Sequence, residues 1–218
     1  GINIDWVGKL VEAASGKRLG QYMEENLFAP LGMGDTAFRI RDDMRWRLAK
    51  IHQRDELGGL EPQPELEIQQ DPQFEMGGGG LYSTAIDYLK FVRMILEEGR
   101  GNGNQVLKPE TVALMSQNQM GHLRVHPLRT AMPSLSNDAE FFPGLSKGWG
   151  LSFMINEEPA PTGRPAGSLA WAGLANSYYW IDPKNRIGGV FITQILPFAD
   201  VKALPLYLAF EKAVYDAR

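Results

Sequence analysis

The sequence has 218 residues, a formal net charge of −4 and no cysteine, and its 44% hydrophobic and 22% charged residues are the composition of a soluble globular protein with one sizeable core. The acidic balance argues against nucleic acid as the main partner, and no apolar run is long enough to span a membrane. The lack of cysteine excludes disulfides and thiol nucleophiles but leaves the compartment open.

The N-terminal part of the sequence predicts two helices. Apolar residues recur at helical spacing from Ile4 to Ala14, and Gly16 stands where a C-terminal cap belongs. The second helix begins near Leu19 and ends at Pro30. Because the sequence starts at Gly1 and becomes amphipathic almost at once, we expect a further segment upstream, either removed or carried on another chain.

The clearest helix is predicted over residues 84–98. Thr84 is the expected N-cap, and Gly99 follows the expected C-terminus. Six apolar side chains form one stripe along the helix, while Asp87 and Lys90 are expected to face away from it. A shorter helix is expected from Pro109. Two long segments, 56–75 and 133–147, predict loops that are either pocket walls or plain surface excursions.

The C-terminal part of the sequence changes from helices to strands. Aromatic and β-branched residues predict four strands, at Trp149–Ile155, Leu169–Leu174, Ser177–Ile181 and Ile187–Ile195. The segment 182–186, Asp-Pro-Lys-Asn-Arg, predicts a turn that joins the last two as an antiparallel hairpin. A final helix is expected to place Leu206, Phe210, Ala213 and Ala217 on one face. The fold class is therefore α+β, with helices and loops over 1–147 and antiparallel strands with a closing helix over 148–218.

One serine matches a nucleophile pattern without its context. Gly144–Gly148 fits Gly-x-Ser-x-Gly, an elbow that requires a strand before the serine, a helix after it and a histidine further on. Here a loop precedes Ser146, a strand follows it, and every histidine lies before it. We predict that Ser146 is not a nucleophile.

Two further patterns are also weak. His122 and His126 have the spacing of two metal ligands on a helix, but Gly121 and Pro127 disfavour a helix there. Structural histidines are therefore the better interpretation, and no metal is expected. The glycines at 77–80 lack the Lys-Ser/Thr of a phosphate-binding loop, so they predict a close backbone approach instead.

The most informative stretch runs from Ser168 to Asp182 and predicts a strand, a tight step after Gly173 and a second strand. A strand-edge N–H beside a glycine can act as the fixed donor that an oxyanion hole requires. On the residues alone, an ordinary buried strand with a core tryptophan at Trp171 is the simpler interpretation.

Three segments, in order, resemble the β-lactamase-related serine hydrolases, the fold of class C β-lactamases and penicillin-binding proteins. They are Ile4–Lys17 followed by Phe28-Ala-Pro-Leu-Gly-Met-Gly-Asp-Thr-Ala-Phe38, then Gly77–Phe91, then Trp171-Ala-Gly-Leu174 with Trp180-Ile-Asp-Pro183. The resemblance implies an antiparallel sheet flanked by helices and makes residues 1–218 the C-terminal portion of a single hydrolase domain. Its Trp-x-Gly pattern, in place of the Lys-Thr-Gly of lactamases, resembles the family VIII carboxylesterases.

The resemblance also implies a site. The backbone N–H of Leu174 would serve the oxyanion hole, and Trp171, Ala172 and Gly173 would take the three motif positions against the substrate. Asn176 would either hydrogen-bond the substrate or stabilise the turn. The family's Ser-x-x-Lys motif occurs nowhere in the sequence, so nucleophile, base and tyrosine motif are expected in a missing N-terminal part of the same protein. No metal or organic cofactor is implied.

The expected function is a carboxylesterase that cleaves small acyl esters through an acyl-serine intermediate. Tryptophan at position 171 replaces a cation that lactamases hold near the substrate carboxylate, which favours neutral esters. Three alternatives stay open: a β-lactamase or DD-peptidase, an acyltransferase with an acceptor other than water, and a non-catalytic binding protein of the same fold.

Overall fold

The computed structural model describes residues 2–218, so Gly1, where we expect the junction with an upstream segment, lies outside the described residues. The described chain forms two compact units, one from its N-terminus to Leu48 with Glu65–Val106, and one over Ala49–Pro64 with Leu107–Arg218. None of the helices within residues 2–218 has the length and apolar character that crossing a membrane requires.

The elements are, in chain order, α1 (Ile2–Ser15), α2 (Leu19–Met23), a π-helical turn (Glu24–Phe28), α3 (Ala29–Leu31), α4 (Asp42–Arg45), β1 (His52–Arg54), β2 (Leu60–Pro62), α5 (Ala85–Leu96), β3 (Arg100–Gly101), β4 (Asn104–Gln105), α6 (Pro109–Met115), β5 (Lys147–Trp149), β6 (Met154–Asn156), β7 (Leu169–Gly173), β8 (Ser177–Asp182), β9 (Ile187–Phe191), β10 (Ile195–Leu196) and α7 (Ala203–Asp216).

The first unit contains α1 to α5 and the short hairpin of β3 and β4. Helix α1 forms as predicted, but its apolar residues Ile4 and Val7 are exposed. The prediction that the second helix ends at Pro30 is wrong: the π-helical turn is followed by α3, which places Pro30 in its first turn, and the helix ends at Gly32 with φ +69°.

Helix α5 confirms its predicted start. The Thr84 side chain caps it by accepting a hydrogen bond from the Asp87 N–H at 3.2 Å. Asp87 does not face away as predicted but is buried. Its carboxylate accepts hydrogen bonds from the Asp35 N–H (2.7 Å), the Thr36 hydroxyl (3.2 Å) and the Lys90 ammonium (2.7 Å). These partners offset the cost of removing the charge from water.

The second unit is built on a five-stranded antiparallel sheet in the order β5-β6-β7-β8-β9. The prediction of a single strand over 149–155 is wrong, since β5 and β6 form a hairpin around residues 150–153. A Cβ on Gly150 would lie 2.1 Å from the Met115 carbonyl oxygen, and this close backbone approach marks the break.

The last predicted strand is also divided. Strand β9 ends at Phe191, and β10 leaves the large sheet to pair in parallel with β1, which pairs in turn with β2. Strand β2 lies inside the segment predicted as a loop. It is short and ends in proline, so it carries little of the alternating pattern by which strands are predicted.

The most buried face of helix α7 is not the predicted one, although Phe210 of the predicted face lies edge-on to Trp180 with the ring centroids 5.5 Å apart. Its buried residues are Ala203, Tyr207 and Glu211, whereas Leu206 is 59% exposed. The Glu211 carboxylate is buried because it accepts hydrogen bonds from the Thr162 and Tyr207 hydroxyls and lies 3.5 Å from the Arg164 guanidinium. Tyr207 stacks on Tyr178 of β8 with the ring centroids 4.7 Å apart, which fixes the helix on the sheet.

Candidate oxyanion site at the β7–β8 turn

The predicted strand, step and second strand are present as the β7–β8 hairpin. Gly173 pairs with Ser177, and the three residues between them form the turn. The Asn176 N–H donates to the Gly173 carbonyl at 3.1 Å, and Asn176 takes the left-handed conformation at φ +59°. This is a common design for a three-residue hairpin turn, and asparagine is among the few residues that adopt φ > 0 at low cost.

Leu174, the first residue of the turn, presents a free donor. The residue is 51% exposed, and its N–H donates to no oxygen atom within residues 2–218. An N–H that projects from the end of a rigid hairpin can approach an oxygen that gains negative charge without first breaking another hydrogen bond. Leu174 therefore has an unpaired N–H at the end of the hairpin, the first requirement of an oxyanion-hole donor.

Trp171 is partly buried in an aromatic group. Its ring lies edge-on to Trp149 with the centroids 4.5 Å apart, and Phe141 is 6.3 Å away. Ala172 is also partly buried, while Gly173 is exposed. Trp171 therefore offers an apolar side chain beside the turn, whereas Ala172 points to the opposite face of the sheet and packs against the core that contains Tyr178. Gly173 leaves the approach to the turn open.

Asn176 is fully buried, and its amide is saturated by contacts within the protein. Nδ2 donates to the carbonyl oxygens of Ile195 and Pro197, each at 2.8 Å. Oδ1 accepts from the Tyr178 hydroxyl at 2.6 Å and from the Asp200 N–H at 2.9 Å. These four contacts occupy every hydrogen-bonding position of the amide, which favours the turn-stabilising alternative over contact with a substrate.

Behind Asn176 lies a buried ion pair between Asp200 and Arg54. The Arg54 Nη2 lies 2.9 Å from an oxygen of the Asp200 carboxylate, and its Nε also donates to that group. Burial alone would raise the pKa of Asp200, but the hydrogen bonds from Arg54 and from the Ala203 and Lys202 N–H groups outweigh it and lower the pKa. Asp200 therefore stays ionised at neutral pH and holds the N-terminus of α7 as well.

The turn has a second tether that the sequence did not reveal. The Thr193 hydroxyl donates to the Ala175 carbonyl at 2.7 Å and lies 3.1 Å from the Asn176 carbonyl. Thr193, Asp200 and Arg54 stand in no local pattern with the turn, since they lie 17 or more residues away along the chain. Only the tertiary structure brings them together.

The other motif residues lie outside this turn. Ser146 lies just before β5, and its hydroxyl is held by the Arg124 Nε (3.0 Å) and the Glu157 carboxylate. Within residues 2–218, no group of three or more His, Cys, Asp or Glu side chains could hold a metal ion. A Cβ on Gly77 would lie 2.1 Å from the Ile4 carbonyl oxygen, which confirms the predicted close backbone approach.

Comparison with known proteins connects this geometry to a family. A family model described as Beta-lactamase matches residues 1–212. A monacolin J acid methylbutanoyltransferase of Aspergillus terreus is 31% identical over 99% of this chain and 53% of its own length. A lovastatin esterase of Penicillium rubens is 29% identical over 99% of this chain and 55% of its own length. The chain thus spans about half the length of these curated relatives.

Solved structures show the same likeness. Unliganded simvastatin synthase from Aspergillus terreus superposes with a TM-score of 0.83 at 30% identity, over 100% of this chain and 55% of that one. EstCE1, a hydrolase with promiscuous acyltransferase activity, gives a TM-score of 0.70 at 27% identity, over 97% of this chain and 54% of that one. These likenesses confirm the predicted α+β class with its antiparallel sheet. Because the family model matches nearly the whole sequence, the chain belongs to the beta-lactamase family.

Proposed function

We propose that the protein containing this chain is a carboxylic-ester hydrolase, with the Leu174 N–H as a donor of its oxyanion hole. The observation that carries the proposal is the unpaired N–H of Leu174, a half-exposed residue directly after β7, in a chain of this family. The relative named lovastatin esterase supports ester cleavage.

The proposed reaction has two acyl-transfer steps. A serine hydroxyl attacks the ester carbonyl, the C–O bond to the alcohol breaks, and the proton of the serine leaves with the alcohol. Water then attacks the acyl-serine and releases the carboxylic acid. Serine and base are proposed to lie in a Ser-x-x-Lys motif outside this sequence. In both steps the carbonyl oxygen becomes negative, and the Leu174 N–H would stabilise that charge.

The wall at Trp171 suggests the class of substrate. Its contacts with Trp149 and Phe141 make an apolar, uncharged surface beside the turn. Such a surface favours a neutral acyl group and gives no charge partner to a carboxylate-bearing lactam. We therefore propose small neutral esters as substrates.

Transfer to an alcohol is the second candidate. The relative named methylbutanoyltransferase and the hydrolase with promiscuous acyltransferase activity favour it. The first step would be unchanged, and an alcohol would replace water as the acceptor in the second.

The first test uses the full-length protein with p-nitrophenyl butyrate, with and without an added alcohol, and with a chromogenic cephalosporin in parallel. Release of p-nitrophenol with an acyl-enzyme visible by intact mass is expected. Formation of a new ester would identify the transferase, and hydrolysis of the lactam alone would contradict an esterase. Absence of all three activities would favour a binding protein.

The second test is Gly173→Val in the full-length protein. The new Cβ would meet only Ser177 atoms, at 3.8 and 3.9 Å, so folding should be preserved. The branched side chain would stand beside the Leu174 N–H, and loss of one oxyanion donor lowers kcat by about 10²–10³-fold. An unchanged kcat would contradict the oxyanion assignment.

A matched glycine in the same sheet separates catalysis from folding. In Gly189→Ala the new Cβ would lie 2.0 Å from the fully buried Trp180 ring, so this variant should lose folding. Circular dichroism should show a folded Gly173→Val and an unfolded Gly189→Ala. A fall in kcat in Gly173→Val would then be a loss of turnover and not of folding.

A further inference from the structure

The oxyanion turn is exposed at one end and anchored at the other. Leu174 faces solvent, while Asn176, two residues later, is completely buried. A donor contributes to catalysis only if it is fixed before the charge develops, because otherwise the reaction must bear the cost of ordering it. Whatever fixes Asn176 therefore fixes the position of the Leu174 N–H.

The Asn176 side chain joins the turn to three separate segments. Its amide group donates to Ile195 and Pro197, and its carbonyl accepts from the Asp200 N–H and from Tyr178. Asn176, Tyr178 and Asp200 are buried, and Ile195 and Pro197 are partly buried, so water has little access to these contacts. Loss of the side chain would remove one partner from each of two carbonyl groups, an N–H and the Tyr178 hydroxyl, a costly change in a buried site.

The anchor is itself held in place. Ile195 belongs to β10, which pairs with β1, and Arg54 at the end of β1 binds the Asp200 carboxylate. The contacts therefore form a closed circuit from the turn to β10, to β1, to Asp200 and back to Asn176. Each segment that the turn contacts is itself held by another contact of the circuit. The circuit therefore restrains the turn more than the same contacts would if each reached a segment that was free to move.

We infer that Asn176 is a positioning residue for the reaction: it contacts no substrate, but fixes the Leu174 N–H where the oxyanion forms. This inference rests on the proposed function. It predicts that loss of the Asn176 side chain lowers kcat, whereas loss of an asparagine that only stabilises the fold would not.

The test compares two buried asparagines in the full-length protein. Asn176→Gly keeps the left-handed backbone accessible but removes all four contacts. Asn156→Ala is the matched control: Asn156 is equally buried and donates to the Glu158 (2.8 Å) and Pro165 (2.9 Å) carbonyls, at the end of β6 away from the turn. Both variants should lose stability. Only Asn176→Gly should lower kcat for p-nitrophenyl butyrate, by about 10²-fold, with KM little changed.

A second measurement does not depend on activity. The order parameter of the Leu174 amide, from ¹⁵N relaxation, should fall in Asn176→Gly and stay unchanged in Asn156→Ala. If Asn176→Gly does not fold, Thr193→Val removes the hydroxyl that contacts the Ala175 and Asn176 carbonyls, leaves the Asn176 side chain in place, and should give a smaller change of the same kind. An unchanged amide and an unchanged kcat in an active, folded Asn176→Gly would overturn the inference.

The two proposals fail in different ways. If the wild-type protein cleaves no ester, the proposed function is wrong and Asn176 has no catalytic role. The order parameter of the Leu174 amide still decides whether Asn176 orders the turn. If the amide becomes mobile and kcat is unchanged, the oxyanion assignment of Leu174 is wrong.

Discussion

The two turns at the ends of β8 look alike locally but are held in different ways. Each contains one residue in the left-handed region, Asn176 at φ +59° and Arg186 at φ +58°. In the 183–186 turn, Asp182 accepts from the N–H and from the side chain of Asn185, three residues away. In the 174–176 turn, the tethers reach residues 19 to 24 positions along the chain.

This difference separates a turn that only reverses the chain from one that presents a group. The hydrogen bonds inside the 183–186 turn come from its own sequence, as in Asx turns, and a single contact from Tyr215 of α7 joins Asp182 to a distant segment. The 174–176 turn is held by contacts with distant segments, and its Leu174 N–H donates to no oxygen atom within residues 2–218. A catalytic donor needs the second kind of support, because local hydrogen bonds would consume the donor that the reaction requires.

The largest effect among the variants that test this comparison of the two turns is expected from Asp182→Ala. Asp182 is fully buried and also accepts from the Tyr215 hydroxyl of α7 at 2.9 Å. Loss of the carboxylate leaves these donors without a partner and should lower the free energy of unfolding by about 2–3 kcal/mol, measured in urea. Turnover of the folded fraction should not change. Asp182→Asn, which keeps one acceptor, is the control; a fall in kcat in either variant would remove the distinction between the turns.

The same distinction explains which parts of the fold the sequence could predict. The Thr84 cap and the 182–186 turn were predicted because their partners lie within a few residues. The face of α7 was predicted wrongly because hydrophobic spacing places Glu211 outside, whereas Arg164, Thr162 and Tyr207 hold it inside. Contacts of this kind join distant segments and leave no periodic signal.

The candidate site divides in the same way. Leu174 and the Trp171–Gly173 motif follow from a resemblance carried by consecutive residues. The two roles considered for Asn176 could not be separated in the sequence, because its partners Ile195, Pro197 and Asp200 are distant. The hydrogen-bonding state of the Leu174 N–H was likewise beyond prediction, since it depends on the whole turn.

A smaller effect is expected from Tyr178→Phe, which removes one contact of the Asn176 anchor. At neutral pH the variant should be less stable by about 1 kcal/mol, the value of one buried hydrogen bond. Burial raises the pKa of Tyr178 above its ordinary value of 10.0. Above pH 10 the unfolded tyrosine loses its proton while the folded one keeps it, so wild-type stability falls by about 1.4 kcal/mol per pH unit relative to the variant.

Wild type should therefore be the more stable protein at neutral pH, and Tyr178→Phe the more stable one by about pH 11. Urea unfolding of both proteins from pH 7 to pH 11 measures this difference directly, and other titrating groups cancel because both proteins share them. A constant difference across this range would show that Tyr178 ionises normally and that the anchor of the 174–176 turn is more open to water than the structure indicates.

The smallest effect is expected from Ser146→Ala. This variant tests the Gly-x-Ser-x-Gly match at Gly144–Gly148, which lacks the strand and helix that a nucleophile elbow requires. Ser146 has its hydroxyl bound to Arg124 and Glu157, with β5 following it in place of a helix. The variant should keep its kcat for ester hydrolysis and change the free energy of unfolding by no more than about 1 kcal/mol. Labelling by a fluorophosphonate, read by peptide mass, should be equal in wild type and variant. A thousandfold loss of turnover in a well-folded variant would make Ser146 the nucleophile. Equal labelling would instead show that neither the flanking glycines nor a neighbouring carboxylate makes a serine reactive, because a nucleophile also needs donors fixed around the oxygen that becomes negative.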